Sequence, residues 1–256
     1  MRVAAVDCGT NSIRLLVADV DGPVKTDVHR EMRVVRVGQG VDRTGELAPE
    51  ALERTRLALD DYAGTCRALG VERTRFVATS ATRDARNRDD FHSMVLATLS
   101  TAPEVVSGHE EAALAFDGAT RDLDPTGGPF LVLDIGGGST ELVLGTRSVL
   151  AASSMDVGCV RLTERHFADD PPTKAQVAAA EADIDAALCA ARQAVPVDRV
   201  RTAIGLAGSV TTVAALALGL ADYDAARSLR VRASSRCEMS AMSPAATHEQ
   251  WMRAES

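Results

Sequence analysis

The chain has 256 residues, 46% of them hydrophobic and 25% charged, with a formal net charge of -8. That balance gives a sizeable core and room for two domains, and it disfavours a general nucleic-acid binder, which needs a surplus of Lys and Arg on one face. No apolar run has the length of a membrane span, the start lacks a leader pattern, and five cysteines (Cys8, Cys66, Cys159, Cys189, Cys237) without a CxxC pair suit reduced thiols better than disulfides or structural zinc, so the cytoplasm is the expected compartment.

In chain order, residues 2–20 read as two strands broken at Gly9–Ser12, a hairpin. "RVVRV" reads as a further strand, and residues 48–70 as a helix with Pro49 near its first turn and Gly70 as its stop. "TRFVATS" follows as a buried strand, a helix runs from about Arg88 to Leu99, and "SGHEEAALAF" opens another with Ser107 or Gly108 as its cap. Dense turn chemistry at Asp122–Pro129 marks a boundary between residues 1–124 and 125–226. A second hairpin starts at Phe130. An Ala-rich helix entered through Pro171 and Pro172 comes next, and then a strand, a small-residue turn at Gly205–Ser209 and a helix. Residues 227–256 lack periodicity and read as a poorly ordered tail.

The two hairpins are near copies. "VDCGTNSIRLLVADV" and "LDIGGGSTELVLG" superimpose Asp7 on Asp134, Gly9 on Gly136 and Ser12 on Ser139 at an offset of 127 residues. Successive backbone N–H groups in a small-residue turn form a concave phosphate site. The donors here would be Gly9, Thr10, Asn11 and Ser12, and Gly136, Gly137, Gly138, Ser139 and Thr140. Asp7 and Asp134, at the ends of the entering strands, suit a hydrated magnesium that bridges to phosphate oxygens. No GK[ST] follows the glycines, and a strand rather than a helix comes next, which excludes a Walker loop and the dinucleotide fingerprint. A single copy is equally well explained as a plain tight turn. Two matched copies point to one polyphosphate gripped from both sides.

Three further side chains stand out. Glu111, near a helix start, could orient or deprotonate an attacking water, though Glu110 and Glu111 also suit the positive end of a helix dipole without catalytic duty. Glu141 replaces the Arg14 of the first copy inside an apolar strand; its alternative is an outward-facing strand residue. Arg83, in a loop after a buried strand, could make bidentate contacts to phosphate or sit solvated at the surface. In an acidic chain an anionic ligand needs a local basic pocket, and Arg30, Arg33 and Arg36, or Arg83, Arg86 and Arg88, could supply it. The five histidines, His29, His92, His109, His166 and His248, have no metal-ligand spacing.

Together with "ATSATRDARN", "SGHEEAALAF" and "GLAGSVTTVAAL", the two hairpins resemble the exopolyphosphatase and guanosine pentaphosphate phosphohydrolase family, of the actin, sugar-kinase and heat-shock ATPase superfamily, over Val3 to about Leu220. The resemblance implies an α/β fold of two duplicated ribonuclease-H-like domains, mixed sheets flanked by helices, around a central cleft. It implies magnesium-dependent release of the terminal phosphate of inorganic polyphosphate, or of the 5′-phosphate of guanosine pentaphosphate. Glu111 matches the family's base, Asp134 and Glu141 its acidic metal pair, Arg83 a phosphate-contacting arginine, and Gly208 and Ser209 a later phosphate-binding turn. Short members of the family continue past the equivalent of Ala226 with further helices that find no match here, so the second domain is expected to leave one sheet face uncovered. The competing expectations are a non-catalytic polyphosphate or alarmone sensor and, disfavoured by length, an ATP-dependent kinase. The sequence leaves open Mg²⁺ against Mn²⁺, polyphosphate against guanosine pentaphosphate, and homodimerisation.

Overall fold

The computed structural model describes residues 1–220; the expected end of the second domain (221–226) and the tail (227–256) lie outside the described residues. Residues Met1–Val210 form one compact unit that contains two mixed sheets flanked by helices. The first sheet has strands β1 (Arg2–Cys8), β2 (Ser12–Asp21), β3 (Val24–Val34), β4 (Arg73–Ala78) and β5 (Glu104–Val105), in the order β3-β2-β1-β4-β5. The second has β6 (Phe130–Ile135), β7 (Thr140–Gly145), β8 (Val149–Met155) and β9 (Thr202–Leu206), in the order β8-β7-β6-β9. The shared order repeats at the level of pairing. β1 is antiparallel to β2 and parallel to β4, and β6 is antiparallel to β7 and parallel to β9.

Helices α1 (Val41–Thr44), α2 (Pro49–Ala68), α3 (Ser80–Asp84) and α4 (Arg88–Leu99) accompany the first sheet; α5 (Gly108–Thr120), α6 (Cys159–His166), α7 (Lys174–Ala194) and α8 (Ala207–Ala217) follow. Strand alternation sends Ala4, Val6 and Cys8 of β1 and Ile13, Leu15 and Val17 of β2 to one face, where they pack with Leu59 and Tyr62 of α2 and Phe91 and Val95 of α4. Asp7 and Arg14 therefore point to the opposite face. The β7 run "TELVLG" is buried throughout, because α7 covers one face of the second sheet through Ala191 and α5 covers the other through Ala112 and Phe116. Among the described residues of this half, β9 has no buried residue and Leu150 of the edge strand β8 is exposed.

Two expectations need correction. "RVVRV" is not a separate strand: β3 starts earlier, at Val24 after the Asp21–Pro23 turn, and ends at Val34, while Val35 and Val37 enter the core from the connection that follows. β3 is an edge strand exposed along most of its length, with Val24, Val28, Met32 and Val34 open to solvent, so no buried apolar face marks it. Arg83 stands in the short helix α3, not in a loop.

The buried Tyr62 hydroxyl donates to the carbonyl of Ile13 at 3.0 Å and so ties α2 to the first hairpin. Tyr62→Phe keeps the ring and removes this bond at a cost of about 1 kcal/mol. Thermal unfolding should then show a fall of about 2–4 °C.

Candidate active site

The two hairpins match in register as well as sequence. Asp7 lies opposite Arg14, and Asp134 lies opposite Glu141. Both turns are closed by the same bond: Gly9 N donates to Ser12 O, and Gly136 N to Ser139 O, each at 3.0 Å. Both are also held from behind through their carbonyls. The Thr10 carbonyl accepts from Gly38 N and the Asn11 carbonyl from Val35 N and Arg36 N, while the Gly136 carbonyl accepts from Cys159 N and the Gly137 carbonyl from Val160 N and Arg161 N. With the carbonyls engaged, the amides of Thr10, Asn11, Gly137 and Gly138 have no partner among the described residues. Backbone donors of this kind form an anion nest.

The turns abut each other. A Cβ on Gly138 would fall 2.3 Å from Ser80 Oγ and 2.4 Å from Thr10 Oγ1, and those two hydroxyls share a 2.9 Å hydrogen bond. Only glycine lets the second turn approach this closely.

Four carboxylates gather beside the turns. The start of α5 assigns different work to its two glutamates: Glu110 closes a capping box with Ser107, accepting from Ser107 N at 2.8 Å, and Glu111 takes no part in the cap. The Glu111 carboxylate accepts from Arg83 Nη1 at 3.2 Å, and the same nitrogen donates to the Val106 carbonyl at 3.0 Å. Glu141 is 2% exposed and accepts from Ser154 Oγ at 2.8 Å, so the outward-facing alternative fails. Gly108 permits this packing, since a Cβ there would lie 2.6 Å from Ser154 Oγ.

Burial raises the Glu111 carboxyl above its ordinary range, against the pull of Arg83 and with the repulsion of Asp134 and Asp7. Burial and the charge of Glu111 push Glu141 up to about 8, although the Ser154 and Ser139 hydroxyls favour its ionised form. Asp134 is raised by burial and by Asp7, with Arg14 opposing. Asp7 is raised as well, chiefly because it stands in a cleft with little surrounding water, even though 49% of its own side chain is open; Arg14, 3.4 Å away, opposes the shift.

An all-carboxylate set of this kind suits a hard divalent cation. Among the described residues no three ligating side chains converge into a cage. What fits Asp7, Asp134 and Glu141 is therefore a largely hydrated ion that takes one or two carboxylates and completes its shell with water and phosphate oxygens.

Of the two arginine groups, only Arg83 reaches the carboxylates. Arg30 pairs with Asp27, Arg33 with Glu31 and Asp61, and Arg86 with Glu46. Ser139 is buried and turned toward Glu141. Gly208 and Ser209 lie in the first turn of α8, which begins directly at Ala207 in a left-handed conformation (φ 67). The register pairs Asp134 with Leu206, so this turn opens at the same end of the sheet as the second hairpin. Sequence reasoning missed Ser154, whose role depends on pairing across the second sheet, and Arg161, which donates to the Gly138 carbonyl at 2.7 Å. Neither has a local motif. Arg14 was visible as the counterpart of Glu141, but not as the partner of Asp7.

The family model for the Ppx/GppA phosphatase family matches residues 16–243. Exopolyphosphatase 2 of Mycobacterium tuberculosis is 53% identical over 234 residues, 88% of this chain and 73% of that protein. Among solved structures, an exopolyphosphatase-like protein superimposes with a TM-score of 0.83 at 47% identity, over 86% of this chain and 70% of that one. A Ppx/GppA family member from Aquifex aeolicus gives 0.69 at 33%, over 89% and 72%.

Because its folded-state pKa of about 8 lies above the ordinary 4.5, Glu141 favours the fold only while protonated. Its contribution is complete below pH 4.5 and lost as pH rises through about 8. Glu141→Gln removes the charge and keeps an acceptor for Ser154. In a chelator, its melting temperature should exceed the parent's by several degrees at pH 8–9, with the gap closing by pH 4.

Proposed function

This chain belongs to the Ppx/GppA phosphatase family, and on that premise we propose that it is an exopolyphosphatase, a phosphoanhydride hydrolase that releases orthophosphate from the end of inorganic polyphosphate. The observation that carries the reading is the pair of register-matched turns, with amides unpartnered among the described residues, beside four carboxylates. The amides of Thr10, Asn11, Gly137 and Gly138 fix the phosphoryl oxygens, in a site too tightly packed to need reorganisation during reaction. Arg83 aligns Glu111 and adds positive charge at the terminal phosphate.

Glu111 orients a water against the terminal phosphorus. As the new O–P bond forms and the bridging P–O bond breaks, Glu111 takes the water's proton, and the shortened chain leaves with the bridging oxygen. Its raised pKa makes it a better proton acceptor than an ordinary carboxylate. Asp7, Asp134 and Glu141 would hold a divalent cation, Mg²⁺ or Mn²⁺. When bound, it neutralises charge on the phosphate oxygens. The 5′-phosphate of guanosine pentaphosphate, another terminal phosphoryl group on an anionic chain, is proposed as a second substrate, and the cytoplasm as the compartment. No described helix is long and apolar enough to cross a membrane.

The test is phosphate release from long-chain polyphosphate in magnesium. Glu111→Gln should lower kcat by at least ~100-fold, on the order of 3 kcal/mol, without lowering the melting temperature. Chelation of the divalent ion should abolish release by the parent and leave it folded. A folded parent that binds polyphosphate but releases no phosphate would favour the sensor instead.

A further inference from the structure

Directly behind the second turn, α6 starts with Val160 N and Arg161 N both donating to the Gly137 carbonyl. The Arg161 side chain, 12% exposed, then reaches three separate pieces of chain. Its Nε donates to the Gly138 carbonyl at 2.7 Å, Nη1 to Asp42 of α1 at 2.8 Å, and Nη2 to Asp84 of α3 at 2.6 Å. Asp84 adjoins Arg83, which holds Glu111. One guanidinium thus connects the second turn to the short helix that aligns the base.

We propose that Arg161 is a positioning residue, a latch that fixes the second phosphate turn against α1 and α3 so that the two anion nests and Glu111 keep one geometry. The proposal rests on the reading of both turns as phosphate grips. A planar fork offers three separate nitrogens at fixed angles to three diverging acceptors, whereas a lysine has one nitrogen on a flexible stem. There is no slack for the contact to be made another way. The space enclosed by Thr10, Gly38, Asp42, Gly138, Arg161 and Glu164 is about 10 Å³, roughly the least that holds one water. The neighbouring Glu164 caps the same junction, its two carboxylate oxygens accepting from Gly40 N at 2.9 and 3.0 Å.

Arg165 provides the control. It also bridges to Asp42, at 2.9 and 3.1 Å, and binds Asp183 at 2.6 Å, but its side chain makes no hydrogen bond to either turn or to α3 among the described residues. Loss of an ion pair at this junction and loss of the latch can therefore be separated.

Arg161→Gln, Arg161→Lys and Arg165→Gln should be compared with the full parent chain. Both Arg161 variants should lose at least ten-fold in kcat at saturating polyphosphate, with KM within about three-fold, because each nest still offers its amides. Arg165→Gln should keep kcat within three-fold at a similar loss of melting temperature. Without substrate, hydrogen exchange at the amides of Arg36, Gly38 and Gly136, which close or support the turns, should quicken in the Arg161 variants alone. If Arg161→Gln does not fold, Arg161→Lys, which keeps the charge, carries both readouts. An unchanged kcat in an active parent, an equal loss in Arg165→Gln, or unchanged exchange would overturn the latch. A parent with no hydrolysis but the expected exchange difference would overturn the hydrolase reading and support the latch.

Discussion

Confinement of four carboxyls, Asp7, Glu111, Asp134 and Glu141, away from water, with repulsion among neighbours added to it, is the constraint around which this molecule is organised. Four carboxyls confined to a partly dry cleft resist ionisation, and each is displaced in that direction. The fold meets the repulsion in two ways. Arg14 and Arg83 place fixed positive charge beside Asp7 and Glu111, and Ser154 donates to Glu141. None of these removes the excess of negative charge, and that excess is what a cation accompanying a phosphate chain would satisfy. The cost in stability and the capacity to act have the same origin.

The rigid parts of the structure keep that arrangement from relaxing. Relief of the repulsion would require the hairpins to separate, yet each turn is tied through its carbonyls to the segment behind it, and the turns meet through Gly138, Thr10 and Ser80 without room for a methyl group. On the far side of each sheet, α2 and α4, or α7, present large apolar surfaces. The hydrophobic cores act here as the counterweight to a site that would otherwise push itself apart.

Much of this was legible in the residues, for a physical reason. A hairpin with small turn residues writes its geometry into a dozen consecutive positions, so the duplication and the helices with strong start signals (Pro49, Ser107) could be read directly. The division of labour between Glu110 and Glu111 could not, because it depends on which carboxylate the cap engages. The edge strand β3 hid behind charged residues, and β8 and α6 carry no strong punctuation. Ser154 and Arg161 act across 13 and 23 residues of chain, through pairings only the folded molecule brings together.

The pairing of Asp7 with Arg14, and of Asp134 with Glu141, makes the duplicated site symmetric in shape and lopsided in charge. A linear polyphosphate reads the same from either end, and a grip with true two-fold symmetry would accept it in both directions alike. One arginine on one side and one glutamate on the other give the cleft a polarity that its backbone lacks. The difference between Arg14 and Glu141 thus sets the two sides of the site apart in charge, between hairpins whose turns also differ at Thr10 and Gly137 and at Asn11 and Gly138.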